Sequence, residues 1–295
     1  MKPPPALVLL LAAIALPPDV AAAQVDPAEL AAARVLARTS GKSHDAQLAF
    51  EKIAAADPAC MDAQLFLAQL ALRRDDADQA LAYAKQAVAL APDNAMCHHT
   101  LGDAYGRAAQ KASLFSQFGL AKQCLAAYQR ATALAPDNVE FHQSLFEYYR
   151  QAPGIAGGGS DQAAAEAAII KRLDPPRGRL VFATLYTAEK KYDRALAEFD
   201  EVLQTTPDDY DALYQVGRLA AVSGQYLDRG MASLRRCLTL PPPTARSPGP
   251  APVQWRLGQI LEKKNDPAGA RAAYETAVKL DPTFAPAAAA LKNLP

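Results

Sequence analysis

The sequence predicts an all-α solenoid, about seven helix–turn–helix units stacked in chain order and closed by a short C-terminal capping helix. Three observations lead there. Of 295 residues, 51% are hydrophobic but only 7% aromatic, so the apolar content is mostly alanine and leucine, which suits thin layers of closely packed helices rather than one thick core. Amphipathic stretches closed by proline recur as KIAAADP, AVALAPD, ATALAPD, IKRLDP and AVKLDP. Each marks one helix face with a large and a small residue at the same spacing.

The chain starts with an address. Lys2 is followed by an unbroken apolar run over residues 6–16 and by the small-residue exit Ala21-Ala22-Ala23, the anatomy of a cleaved signal peptide. The run is about half of what a bilayer-spanning helix needs. Cleavage after Ala23 is expected, with a mature start at Gln24, export across a bacterial inner membrane and a periplasmic location. The 31 basic and 31 acidic residues cancel, so the chain lacks the electrostatic footprint that nucleic acids or anionic membranes recognise. A protein or peptide partner, with no nucleic acid and no membrane insertion after signal removal, is the expectation.

From residue 24 to 284 the repeat organises the sequence. The closing prolines are Pro58, Pro92, Pro136, Pro175, Pro207, Pro242 and Pro282, spaced 32 to 44 residues apart. Eight residues before each stands Phe50, Ala84, Tyr128, Ala167, Phe199, Leu234 or Tyr274, and four residues earlier again Ala46, Ala80, Cys124, Ala163, Ala195, Gly230 or Ala270. Upstream lies a second helix pattern, clearest in His98-x-x-Leu101-Gly102-x-x-Tyr105, Leu213-x-x-Val216-Gly217 and Gln254-x-x-Leu257-Gly258. These residues resemble the tetratricopeptide repeat, a helix–turn–helix unit of 34 residues. The resemblance implies a right-handed superhelix of units at about 27–60, 61–94, 95–138, 139–175, 176–209, 210–244 and 251–284, with 285–295 as the capping helix. A small residue at each helix crossing lets the axes approach, and the large neighbour fills the space above.

Three places break the pattern. The third unit carries about ten extra residues without proline between Tyr105 and Cys124, which should lengthen both of its helices and leaves Leu114, Phe115 and Phe118 either packed locally or offered to another protein. The fourth has a long turn, Pro153-Gly154-Ile155-Ala156-Gly157-Gly158-Gly159, before Ser160 or Asp161 as helix cap. This turn, followed by Pro175-x-x-Gly178, is similar to exported bacterial members of the repeat family. Its glycines invite a phosphate-loop reading, but no lysine follows and Asp161 puts a negative charge where a phosphate would sit. The third break, residues 241–252, is proline-rich and reads as a stiff connector.

Catalytic and metal motifs are missing from the sequence. His44, His98, His99 and His142 are the only histidines. Cys97, His98 and His99 point about 100° apart on a helix and cannot converge on one ion, so no metal, no cofactor and no enzymatic activity are expected. Cys124 and Cys237 stand at small buried positions, and for Cys60 and Cys97 free thiols are the default, with one bond between them as the alternative. What remains is the face of each first helix turned away from the core. It reads His99 and Asp103, then Glu140, Gln143, Glu147 and Arg150, then Tyr214 and Arg218, then Trp255, and is expected to line a concave groove that holds a protein segment. The chaperone-tail variant of the family clamps a terminal carboxylate with Lys and Asn, but the matching positions here carry Leu65, Gln69, His99 and Asp103. A small-molecule site or enzyme accessory role at the insertion edge between the third and fourth units, near Phe115 and Phe118, is the alternative. An assembly or adaptor role in an envelope system is the leading expectation.

Overall fold

A computed structural model describes residues 25–39, 41–244 and 247–294. The expected signal peptide, residues 1–23, lies outside them. The described chain is all-helical, with α1 Pro27–Arg38, α2 Ser43–Ala56, α3 Met61–Arg73, α4 Ala77–Leu90, α5 Ala95–Lys111, α6 Leu114–Leu134, α7 Val139–Gln151, α8 Ser160–Leu173, α9 Pro175–Ala188, α10 Tyr192–Thr205, α11 Tyr210–Ser223, α12 Leu227–Cys237, α13 Pro250–Lys263, α14 Pro267–Leu280 and α15 Ala285–Asn293. They form two compact groups divided between Ala91 and Pro92. None of the described helices is long and apolar enough to cross a membrane.

The helices start where short polar side chains satisfy the exposed N–H groups of the first turn. Asp26, Asp76, Asn94, Asn138, Asp174, Asp209 and Asp266 each accept from a backbone N–H of the helix they precede. Several hairpins turn through a residue in the left-handed region, Asp75 (φ 62°), Lys190 (φ 59°), Gly224 (φ 76°) and Asn265 (φ 59°).

In the first group α1–α4 make two hairpins around Ala33, Phe50, Ile53, Ala63 and Leu67, with the Phe50 and Phe66 rings stacked at 4.1 Å. In the second, each core joins only neighbouring helices. Phe146, Ala163, Ala167, Ile170 and Val181 unite α7, α8 and α9, and Ala183, Phe199, Val216 and Leu219 unite α9, α10 and α11. Leu213, Leu234, Val253 and Ile260 carry the stack through α12 to α13. Tyr274, Ala270 and Leu294 then join α14 to α15 and the residue that follows it, with Trp255 packed against them. The small residues of the repeat are all buried. A Cβ on Gly102 would fall 2.5 Å from the Tyr128 ring, and one on Gly217 or Gly258 would collide with Leu234 or Tyr274. These first-helix glycines meet the large residue eight before the proline, the close approach the spacing implies.

The insertion lengthens α5 to 17 residues and α6 to 21, against 13 and 14 in the preceding pair. The proline-rich stretch is shorter than expected, because Pro250-Ala251-Pro252 is already the first turn of α13, where proline's missing N–H has no intrahelical partner to lose. The Tyr210 hydroxyl donates to the Pro248 carbonyl at 2.5 Å and ties this stretch to α11.

Candidate functional site

The first helices of the second group, α5, α7, α9, α11 and α13, carry the residues expected to face a partner. On α5, His99 is largely committed within the protein. Its Nε2 lies 2.8 Å from Ser144 Oγ, its ring stacks on Phe141 at 4.7 Å, and its Nδ1 is 3.6 Å from Asp103. Asp103 accepts from the Tyr128 hydroxyl at 2.7 Å. Burial, then the Asp103 charge, push Tyr128 above the usual tyrosine range. On α7, Glu140 accepts from Arg177 of α9 at 2.5 Å. Glu147 holds Arg150 at 2.5 Å and Gln151 at 2.8 Å.

Between α5, α6 and α7 lies a cavity of about 510 Å³. Gly106, Ala121, Phe118 and Tyr148 supply apolar walls, and Glu140, Gln143, Glu147 and Gln117 supply polar groups. The expected face and the expected insertion edge therefore meet at one place. Its wall is held by Tyr148, whose hydroxyl lies 2.8 Å from the Ala121 carbonyl and 2.7 Å from the Ala156 carbonyl. Burial pushes this phenol up to about 12. In the first turn of α6, Leu114 and Phe115 project into solvent, 74% and 98% exposed, while Phe118, which lines the cavity, is 37% exposed.

The glycine turn beside the cavity is a packing device. Gly157, Gly158 and Gly159 donate their N–H groups to the carbonyls of Gly154, Pro153 and Tyr149, which leaves none for an anion. Gly157 takes φ 90°, and a Cβ on Gly158 would collide with the Ala152 carbonyl. Neither Ser160 nor Asp161 caps α8. The N-cap is Gly159, with no side-chain hydrogen bond, because the tight turn already places Ser160 in the helix.

On α11 and α13 the expected face needs one correction and one addition. Tyr214 is buried, 8% exposed, in the core with Tyr210, Leu213, Val253 and Leu257. The α13 side chains cover α11 over more of its circumference than the spacing indicated. Arg218 stays on the open face, its Nη1 donating to Gln215 Oε1 at 3.1 Å. Trp255 is half-buried, edge-on to Phe284 at 5.7 Å. The residue that sequence reasoning missed is Arg256. Its guanidinium sits over the Trp255 ring at 4.1 Å, and its Nη1 donates to Gln259 at 2.8 Å. A signal was available, since Gln215-Val-Gly-Arg218 in α11 returns as Arg256-Leu-Gly-Gln259 in α13, the same pair reversed around the repeat glycine.

The Cys97, His98, His99 and Asp103 side chains do not converge. Cys97 is buried, His98 Nε2 turns to the Pro92 carbonyl at 2.8 Å, and His99 turns to Ser144. His142 repeats the His98 contact with the Pro136 carbonyl at 2.8 Å and adds Glu166 at 2.7 Å. Gln64 does the same to the Pro58 carbonyl at 3.1 Å. A polar residue six positions after the proline thus satisfies that proline's carbonyl in three units. Among the described residues there is no disulfide.

Models of the tetratricopeptide repeat match residues 30–95, 180–239 and 251–284. No curated protein matches the sequence. Among solved structures, the chain is similar to a tetratricopeptide repeat protein from Parabacteroides merdae ATCC 43184, with TM-score 0.67 and 16% identity over 90% of this chain and 96% of that one. It is similar to a thermophilic repeat protein of Thermus thermophilus, with TM-score 0.51 and 24% identity over 62% and 94%. Pseudomonas aeruginosa pilF is similar with TM-score 0.53 and 14% identity over 77% and 94%. At these identities the likeness is one of fold.

Proposed function

The chain belongs to the tetratricopeptide repeat family, whose stacked helix pairs generally serve as scaffolds for protein–protein interaction, and from that premise we propose that it is a non-enzymatic, partner-binding scaffold of the bacterial periplasm. The observation that carries this reading is the open face of the first helices in residues 92–295. There Gln143, Glu147, Arg150, Arg218, Trp255 and Gln259 remain only partly buried while the opposite sides of the same helices are core. Polar side chains held by i,i+3 partners, beside an aromatic, are the kind of surface that recognises a segment of another chain. The export signal read in residues 1–23 supports a partner in the envelope, where such a scaffold would serve an assembly or adaptor role.

The test is in-cell photo-crosslinking from a benzophenone residue at Gln143 or Gln259 on the open face, with Arg235 on the exposed side of α12 as the comparison. Adducts to one partner from Gln143 and Gln259, together with a mature N-terminus at Gln24 in the periplasmic fraction, are expected. Adducts arising only from Arg235 would remove the open face as the binding surface, and Met1 retained in cytoplasmic protein would remove the location.

A second reading rests on the cavity of about 510 Å³ between α5, α6 and α7. Its size and its mix of apolar walls with a few polar groups suit a small molecule as well as a partner's side chain. Ligand binding abolished by Phe118→Ser with no effect of Gln259 substitutions would favour it.

A further inference from the structure

At the other end of the open face, on α11 and its packing neighbour α13, stand two arginines that meet no carboxylate among the described residues, Arg218 and Arg256. We propose that Arg218 and Arg256 form a receptor for carboxylate side chains, through which the scaffold holds an extended, acidic segment of a protein partner. The proposal rests on the scaffold reading and supplies the chemistry of its partner.

Four observations support it. Several arginines of the described residues are answered by acids, as in Arg130 with Asp93, Arg177 with Glu140 and Arg236 with Asp208. Among the described residues Arg218 and Arg256 meet no carboxylate, and each hydrogen-bonds to a glutamine on its own helix, Gln215 and Gln259. The Arg256 Nε is buried with no hydrogen-bond partner, so a donor of a charged group is left unpaired where such an omission is costly. Arg218 lies below the ordinary arginine range, first because it is desolvated and next because the Arg256 charge opposes it. The Arg256 guanidinium also rests on the Trp255 ring, which fixes its plane and leaves its edge to meet a planar acceptor.

Two like charges that are partly desolvated near each other raise the energy of the unoccupied state, and an anion between them removes that cost. The sign of the ligand follows. Among the described residues the one carboxylate that acts on Arg218 is Glu147, after the phenol of Tyr214, and it is already engaged by Arg150. The face is half-open rather than enclosed, with Gln259 and the Arg150–Glu147 pair partly exposed beside it, which suits a chain passing across two helices better than a small anion. Because the whole protein is neutral, the attraction is local and not a general affinity for polyanions.

The experiment uses a fluorescein-labelled twelve-residue peptide of alternating Glu and Ala, the same peptide with Gln for Glu, and citrate as the small-anion arm. Binding is read by anisotropy and by Trp255, the one tryptophan of the chain, whose fluorescence should change when the guanidinium above it is engaged. The Glu peptide should bind the wild-type chain at least tenfold more tightly than the Gln peptide. Arg218→Gln and Arg256→Gln should each weaken it about tenfold with helicity unchanged, and the exposed Arg172→Gln should leave it unaltered. The double variant Arg218→Glu with Arg256→Glu should lose the Glu peptide and bind a Lys–Ala peptide instead. Equal binding of Glu and Gln peptides, or unchanged binding by both single variants, would overturn the site. Citrate that binds more tightly than the Glu peptide and excludes it would overturn the acidic-segment occupant. A partner crosslinked from Gln259 by a chain that ignores the Glu peptide would sink this inference while leaving the scaffold reading intact.

Discussion

At Gly217 the lack of a side chain lets α12 approach α11. A Cβ there would strike Leu234, which is fully buried and has nowhere to move, so Gly217→Ala should destabilise by about 1–3 kcal/mol through overpacking. A urea melt checks it, and an unchanged midpoint would show that the pair can separate without loss. His142 is a second residue whose neighbours decide its role. Both ring nitrogens face oxygen acceptors and its partner Glu166 is itself largely buried, so His142→Leu should cost about 3–5 kcal/mol by leaving a buried carboxylate unpaired. His142→Leu with Glu166→Leu should recover much of that loss. The thiols give a test in the other direction. Burial, reinforced by Asp103, pushes Cys124 up to about 12, and burial with Asp211 does the same for Cys237. At pH 8 both stay protonated and should resist iodoacetamide until the chain is unfolded. The small-residue reading of these cysteines was legible from spacing alone. The Arg256 orphan was not, because an unpaired nitrogen is a property of three-dimensional surroundings.

Among the elements, helix starts were the least visible in the sequence, although Asp or Asn stands ahead of seven helices. Asn138 accepts from the Phe141 N–H at 3.2 Å, and Asn138→Ala should cost about 1 kcal/mol, read as a shift in the thermal midpoint. Helix faces were legible only in part. Spacing identifies which residues share a face, and so it found the buried stripe of every second helix. It does not tell how wide a neighbour's contact will be, and so it left Tyr214 on the open side of α11 when α13 covers it. The lengthening of α5 and α6 followed from ten extra residues without proline. Where the phenylalanines of that insertion would go did not follow, since an apolar residue at a helix start can fold back or project. Phe115 projects. Phe115→Ser with Phe118→Ser should therefore leave helicity and melting nearly unchanged, and a loss of several kcal/mol would show instead that these rings fill core positions.

For the molecule as a whole, a core shared only between neighbouring helix pairs means that each first helix has one side committed to its neighbours and one left over. The all-helical repeat architecture was readable because the same small and large residues recur at fixed distance from each proline, and repetition makes a weak pattern decisive. The binding surface was readable only as a list of leftovers, since polarity alone does not separate a partner site from a solvated face. The central claim is that the leftover face of α5, α7, α9, α11 and α13 is where a protein partner binds. Hydrogen–deuterium exchange of the crosslinked partner complex tests it most directly. The account predicts new protection concentrated in these first helices, strongest around Arg218 and Arg256, with α8, α10, α12 and α14 unchanged. Protection confined to those second helices, with the first helices exchanging as in the free chain, would contradict it.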